Sequence, residues 1–129
     1  MPDAERTLLL SIIELGGYPN FTPLYEQAGY RVVVERTMRK ALAFLKKSRP
    51  AVIIAEFNFQ SDFRDRTSSL ESLLAVVQRL AEVKVIVFYD REHAHQLAKL
   101  QARFPTIEAM NYPVEPGRLV AGLARSVAA

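Results

Sequence analysis

The stretch Arg49-Pro50-Ala51-Val52-Ile53-Ile54-Ala55-Glu56 decides the fold. Ala51 to Ala55 are apolar without alternation, so a strand formed there has no face to give to water. Such a strand belongs inside a parallel sheet covered on both sides. Arg49-Pro50 ends the segment before it, because a proline disfavours helical backbone in its predecessor. Upstream, Thr37 caps a helix whose apolar residues Met38, Ala41, Leu42 and Leu45 recur at helical spacing. Further upstream, Val32-Val33-Val34 marks a short strand over Arg31–Glu35. Gly29 stops a short helix that ends at Ala28 after the turn Gly16-Gly17-Tyr18-Pro19-Asn20. Thr7–Ile13 is another strand apolar on both faces.

Downstream of Glu56 the pattern repeats. Phe57 to Thr67 reads as a long polar and aromatic loop. Ser68-Ser69-Leu70-Glu71 fits a capping box, with Glu71 reaching back to the Ser68 amide. It opens a helix striped by Leu70, Leu73, Leu74, Val77 and Leu80. Val83–Tyr89 is a fourth strand, and Asp90 caps a helix carrying Leu97, Leu100 and Phe104. Ile107–Asn111 is a fifth strand. Pro116 opens a last helix with Leu119, Val120, Leu123 and Val127. Five strands alternating with five helices predict a doubly wound α/β domain over residues 1–129.

The composition agrees with one such domain: 129 residues, half of them hydrophobic, with only five glycines and seven prolines. The absence of cysteine excludes disulfides, thiolate metal sites and a cysteine nucleophile. Met1-Pro2-Asp3-Ala4-Glu5-Arg6 places no basic region before the first apolar run, so no signal peptide is expected. The longest apolar stretch, Leu8 to Ile13 with Ser11 inside it, is far shorter than a membrane span. A cytoplasmic location follows, and the sequon Asn20-Phe21-Thr22 is then incidental.

Charge is unevenly placed. Six of the 17 lysines and arginines (Arg36, Arg39, Lys40, Lys46, Lys47, Arg49) fall between positions 36 and 49 with no acid among them. The remaining 11 bases against 14 acids leave −3, which with the +6 here makes the net +3. Such a face attracts nucleic acid, anionic lipid or an acidic protein, or is simply a solvated helix surface. No aromatic platform is interleaved with these bases, so nucleic acid is not the expected partner.

Order and spacing resemble the response-regulator receiver domain, the CheY-like branch of the flavodoxin-like fold. The resemblance is carried by Ala28-Gly29-Tyr30-Arg31-Val32-Val33, Ala41-Leu42-Ala43-Phe44-Leu45, Arg49 through Glu56, and Tyr112-Pro113-Val114, and it spans the whole chain. It implies a three-layer sandwich with a five-stranded parallel sheet and five helices. It also implies five functional positions, and this sequence departs from all of them. The two acids that help hold Mg²⁺ align with Ile12 and Ile13, next to Glu14. The phosphoacceptor aspartate aligns with Glu56, the Thr or Ser of strand four with Tyr89, and the lysine before proline with Tyr112.

The departures matter physically. Phosphoryl transfer relies on positioning and on neutralising the phosphoryl oxygens. The metal ligands and the lysine cation that would do this are replaced. Glu56 either imitates an acylated aspartate in shape and charge or is a leftover carboxylate at a strand end. Beside Ile12, Ile13 and Phe57 it is partly desolvated and calls for a cation, with Arg91 and Arg64 as candidates. Tyr89 and Tyr112 either line a ligand pocket at the carboxyl edge or fill vacated volume.

Other chemistry is thinly represented. His93 and His95 are two apart on a helix, face different ways and cannot share a metal. Ser11, Ser68 and Ser69 lack a nucleophile elbow, and Gly16-Gly17 is no dinucleotide fingerprint. No catalytic residue, metal or cofactor is therefore expected. The Phe57–Thr67 loop is about five residues longer than the fold needs. Its Phe57, Phe59, Phe63, Arg64 and Arg66 are candidate interface residues, being of the types interface centres favour. The small residues Ala121, Gly122, Ala124 and Ala128 permit close approach of another helix, from the same chain or a twin, so a homodimer is a further expectation. The expected function is a phosphorylation-independent pseudo-receiver working by protein contact in bacterial signalling. The alternative is a phosphoacceptor or small-ligand switch using Glu56, Tyr89 and Tyr112.

Overall fold

The computed structural model describes residues 7–13, 20–57, 69–80 and 83–128. In chain order the elements are β1 (Thr7–Ile12), α1 (Thr22–Gln27), β2 (Tyr30–Glu35), α2 (Met38–Leu45), β3 (Val52–Glu56) and α3 (Ser69–Val77). Then come β4 (Lys84–Tyr89), α4 (Ala94–Arg103), β5 (Glu108–Asn111) and α5 (Pro116–Ala128). The strands form one sheet in the order β2-β1-β3-β4-β5, every pair parallel. The order reverses between β1 and β3, and in open α/β sheets that reversal opens a crevice at the carboxyl ends of the strands.

Alternation of side chains splits each strand between two cores. Leu10, Ile12, Ile53, Ala55, Val85 and Val87 face the layer of α2, α3 and α4. Leu9, Val52, Ile54, Ile86, Phe88 and Met110 face α1 and α5. Because both faces are covered, the strand sequences read as unbroken apolar runs. The three-layer sandwich expected from the resemblance is the fold observed.

Local signals account for most element ends. Thr37 Oγ1 accepts a hydrogen bond from the Lys40 amide at 3.1 Å, capping α2. Gly29 adopts φ +99° after α1, a conformation that glycine enters without Cβ strain. The Asp90 carboxylate accepts from the Glu92 amide at 2.9 Å, but it caps a 3-10 turn, Arg91–His93, that precedes α4. The Asn20 carboxamide oxygen accepts from the Thr22 amide (3.1 Å) and hydroxyl (2.6 Å), bracing the start of α1.

The capping box cannot be followed at Ser68, which lies outside the described residues; the Glu71 carboxylate accepts from the Arg103 guanidinium and ties α3 to α4. Val120, expected on the inner stripe of α5, is 42% exposed, since Leu119 and Leu123 take the inward positions. Gly122 packs against this chain's own sheet. A Cβ there would lie 3.1 Å from Met110 Cε and 3.2 Å from Glu108 Oε2.

The Gly122 contact supports a polar clamp at the far end of the sheet. Lys84 Nζ sits 2.6 Å from Glu108 Oε1 and donates to the Gly122 carbonyl at 3.3 Å. Gly122→Leu is expected to displace Met110 and Glu108 and to cost about 1–2 kcal/mol, the overpacking being partly offset by better helix propensity. Gly122→Ala meets only flexible side-chain ends and should stay within about 1 kcal/mol of the parent. Urea unfolding of the two variants measures both.

Candidate functional site

The carboxyl edge of the sheet is assembled by register. Glu56 pairs with Phe88, Ser11 with Ile54, and Tyr89 with Asn111. The ladder runs past the formal strand ends: the Ile13 amide donates to the Glu35 carbonyl (2.9 Å), Phe57 to Phe88 (2.8 Å) and Tyr112 to Tyr89 (2.8 Å). Backbone positions at the edge are therefore held, and side-chain alternation decides what faces what.

Glu56 points toward the α1/α5 layer and is 5% exposed. It lines a crevice with Ser11, Ile13, Asn20, Phe21, Tyr25, Ile54 and Phe88, and Ile12 borders it as well. Phe21 and Phe88 close one side edge-to-face, with ring centroids 5.9 Å apart. The crevice volume is about 10 Å³, on the order of one water molecule. Tyr25 is buried, and desolvation raises its phenol well above the ordinary value of 10.0, so it stays a neutral O–H.

The receiver fold implies a magnesium ion at this edge, and the described residues do not fit one. A hard divalent cation wants six oxygens and keeps several waters. Glu56 offers a carboxylate and Ser11 a hydroxyl, whereas Ile12 and Ile13 offer hydrocarbon. Glu14 lies outside the described residues. Among the described residues no three acidic or imidazole side chains gather in a way that could hold a metal.

The structure brings Ile12, Ile13 and Glu56 together but separates them from the two tyrosines. Tyr89 is one residue past Phe88, so it turns to the opposite face and packs against the α2–α4 core. Tyr112 is 47% exposed, and neither ring lines the Glu56 crevice. A single ligand pocket built from Glu56, Tyr89 and Tyr112 is therefore not what the fold assembles. Phe57 is also corrected: at 4% exposure it lies in the core with Leu70 and Leu73 and is no interface residue. Phe59, Phe63, Arg64 and Arg66 lie outside the described residues.

A larger opening lies one strand over and was not anticipated. It measures about 300 Å³ and is lined by Arg91, Met110, Asn111, Pro113, Val114, Glu115 and Arg118. Arg91, considered above as a cation for Glu56, stands on this second opening. The Tyr112–Pro113 peptide beside it is cis. Its sequence signal is faint: one arginine just after a strand and another in the first turn of α5.

The chain is similar to a response regulator receiver protein from Sinorhizobium medicae WSM419, at TM-score 0.77 and 13% identity over 98% of both chains. It is similar to a response regulator receiver domain protein from Clostridium thermocellum, at TM-score 0.73 and 17% identity over 94% of both. It is also similar to the chemotaxis response regulator CheY4 of Vibrio cholerae, at TM-score 0.71 and 18% identity, covering 94% of this chain and 98% of that one. The fold is that of CheY-like receiver domains. No protein-family model and no curated protein matches the sequence.

Proposed function

We propose that this chain is a pseudo-receiver, a regulatory module of bacterial signal transduction that acts by protein–protein contact without being phosphorylated. The observation that carries the reading is the Glu56 crevice. A carboxylate stands at the phosphoacceptor position, isoleucines stand where the acid pair would be, and the free volume is about 10 Å³. A phosphoryl group with a hydrated cation needs far more room, and oxygen donors in place of hydrocarbon. Tyr112, exposed at the position of the lysine, brings no cation to the site. A domain with the receiver fold and this edge has its surface left as the means of output.

The reading includes no enzymatic activity and a cytoplasmic location; among the described residues no helix is long and apolar enough to cross a membrane. Magnesium with beryllofluoride, a phosphoryl mimic, tests it directly. The melting temperature is expected to move by less than about 1 °C, because a ligand that does not bind the native state cannot shift unfolding. A rise of several degrees that disappears in Glu56→Gln would restore the phosphoacceptor alternative.

A further inference from the structure

We propose that the outward face of α2 docks an acidic, Asp- or Glu-rich segment of a protein partner. Arg36, Arg39, Lys40, Lys46, Lys47 and Arg49 are all exposed, and among the described residues none of them is paired with an acid. Met38, Ala41 and Leu45 anchor the opposite side of the helix in the core. At about 100° per residue, Arg39, Lys40, Ala43, Lys46 and Lys47 fall within about 120° of the helix circumference. Lys46 keeps helical backbone at the C-cap, so the stripe continues past the last turn. Its two pairs of bases stand about 10 Å apart along the axis, separated by the small exposed Ala43.

This shape favours one class of occupant. The stripe is one helix wide and two turns long, which fits a single acidic helix or extended segment. A duplex or a bilayer presents negative charge over a broader area, and would set it against a remainder of the chain that carries −3. The stripe also offers no aromatic side chain to stack on a base and no apolar group to enter a membrane. Like charges gathered on one exposed face repel one another and do not help the fold, so their concentration there is better explained by a partner. The inference rests on the protein-contact reading and names the partner's chemistry.

Fluorescence anisotropy with short labelled poly-L-glutamate, at about 0.05 M and 0.15 M salt, tests it. The parent is expected to bind, more weakly at the higher salt. Arg39→Glu with Lys40→Glu should weaken binding roughly tenfold or more; acids in the first turn suit the helix dipole, so this variant should fold. Lys46→Gln with Lys47→Gln should weaken it by a smaller factor. Arg79→Glu with Lys99→Glu, exposed elsewhere, should leave it unchanged. Equal losses in the stripe and control variants, or no binding at the lower salt, would overturn the proposal. So would tighter binding, at the higher salt, to random-sequence duplex DNA or phosphatidylserine vesicles that the stripe variants abolish. Beryllofluoride stabilisation would strike at the pseudo-receiver reading and leave this measurement standing, so the two failures are distinguishable.

Discussion

Phe57→Ala is expected to lower the stability of this domain by about 3–5 kcal/mol, a fall in melting temperature on the order of 10–20 °C for a chain of this size. The residue follows the carboxylate at the end of β3, where a loop side chain would ordinarily be free to leave the fold. Instead its amide is held by the Phe88 carbonyl at 2.8 Å, which extends the ladder by one position. Alternation then turns the ring away from the Glu56 crevice and into the core under α3 and α4, at 4% exposure. Removing it takes away the transfer free energy of a phenyl ring and leaves a cavity that close-packed neighbours fill only in part. Thermal unfolding followed by circular dichroism reads the effect. A fall of under about 3 °C would place Phe57 on the surface, as an interface residue would be.

Alkaline unfolding should show the second large effect. Tyr25 and Tyr30 are each 1% exposed, and burial raises both phenols above their ordinary value of 10.0. The native state then holds these protons more tightly than the unfolded chain does. Their contribution is fully present below the unfolded value and is lost as pH rises through it toward the raised native values. Each such group costs about 1.4 kcal/mol per pH unit over that window. For Tyr25 this comes to roughly 2–3 kcal/mol between about pH 10 and pH 12. Tyr25→Phe should flatten the fall in that range while leaving stability at pH 7 within about 1 kcal/mol. Tyr30→Phe should flatten it too, but should cost about 1–2 kcal/mol at pH 7, because the Tyr30 hydroxyl donates to the buried Leu123 carbonyl at 3.0 Å. Guanidinium titrations at pH 7 and at about pH 11 separate the two. An unchanged slope in both variants would mean that neither phenol is held protonated by the fold.

The two phenols also show how far sequence reading reaches at the functional edge. Nothing in the sequence marks Tyr25, between Leu24 and Glu26, or Tyr30, between Gly29 and Arg31, as buried, yet they are among the largest fully buried side chains. Tyr89 and Tyr112 drew attention because the resemblance placed them on functional positions, yet one turns to the other face and the other is exposed. Alignment locates a residue along the chain. Which face it takes is decided by a one-residue difference in strand phase, and phase at a strand end depends on where the ladder stops. Glu56 and Phe57 illustrate the same point, adjacent in sequence and in opposite cores.

Elements with repeated internal signals were legible. The helix stripes at Met38–Leu45 and Leu97–Phe104, the caps at Thr37 and Asp90, the stop at Gly29 and the runs of β1, β3 and β4 each carry several residues that agree. Contacts between distant segments were not. The Glu71–Arg103 tie spans 32 positions and the Lys84–Gly122 bond 38, and no local pattern distinguishes these charges from solvated ones. The 300 Å³ opening between the end of β4 and the start of α5 is likewise a property of two segments meeting.

By itself the sequence determined the layer architecture, because apolar runs without alternation require a sheet covered on both faces, and the βα order then leaves few ways to cover it. It also determined that the acid pair, the phosphoacceptor aspartate and the lysine of a receiver are absent from the aligned positions, since that is a matter of residue identity alone. Only the tertiary structure decided that Glu56 is walled into a crevice of about 10 Å³, that Phe57 and Gly122 serve packing within the chain, and that the bases of the α2 segment face outward. Those outcomes depend on the directions in which side chains leave neighbouring strands and helices, and direction is settled only when the layers close on one another.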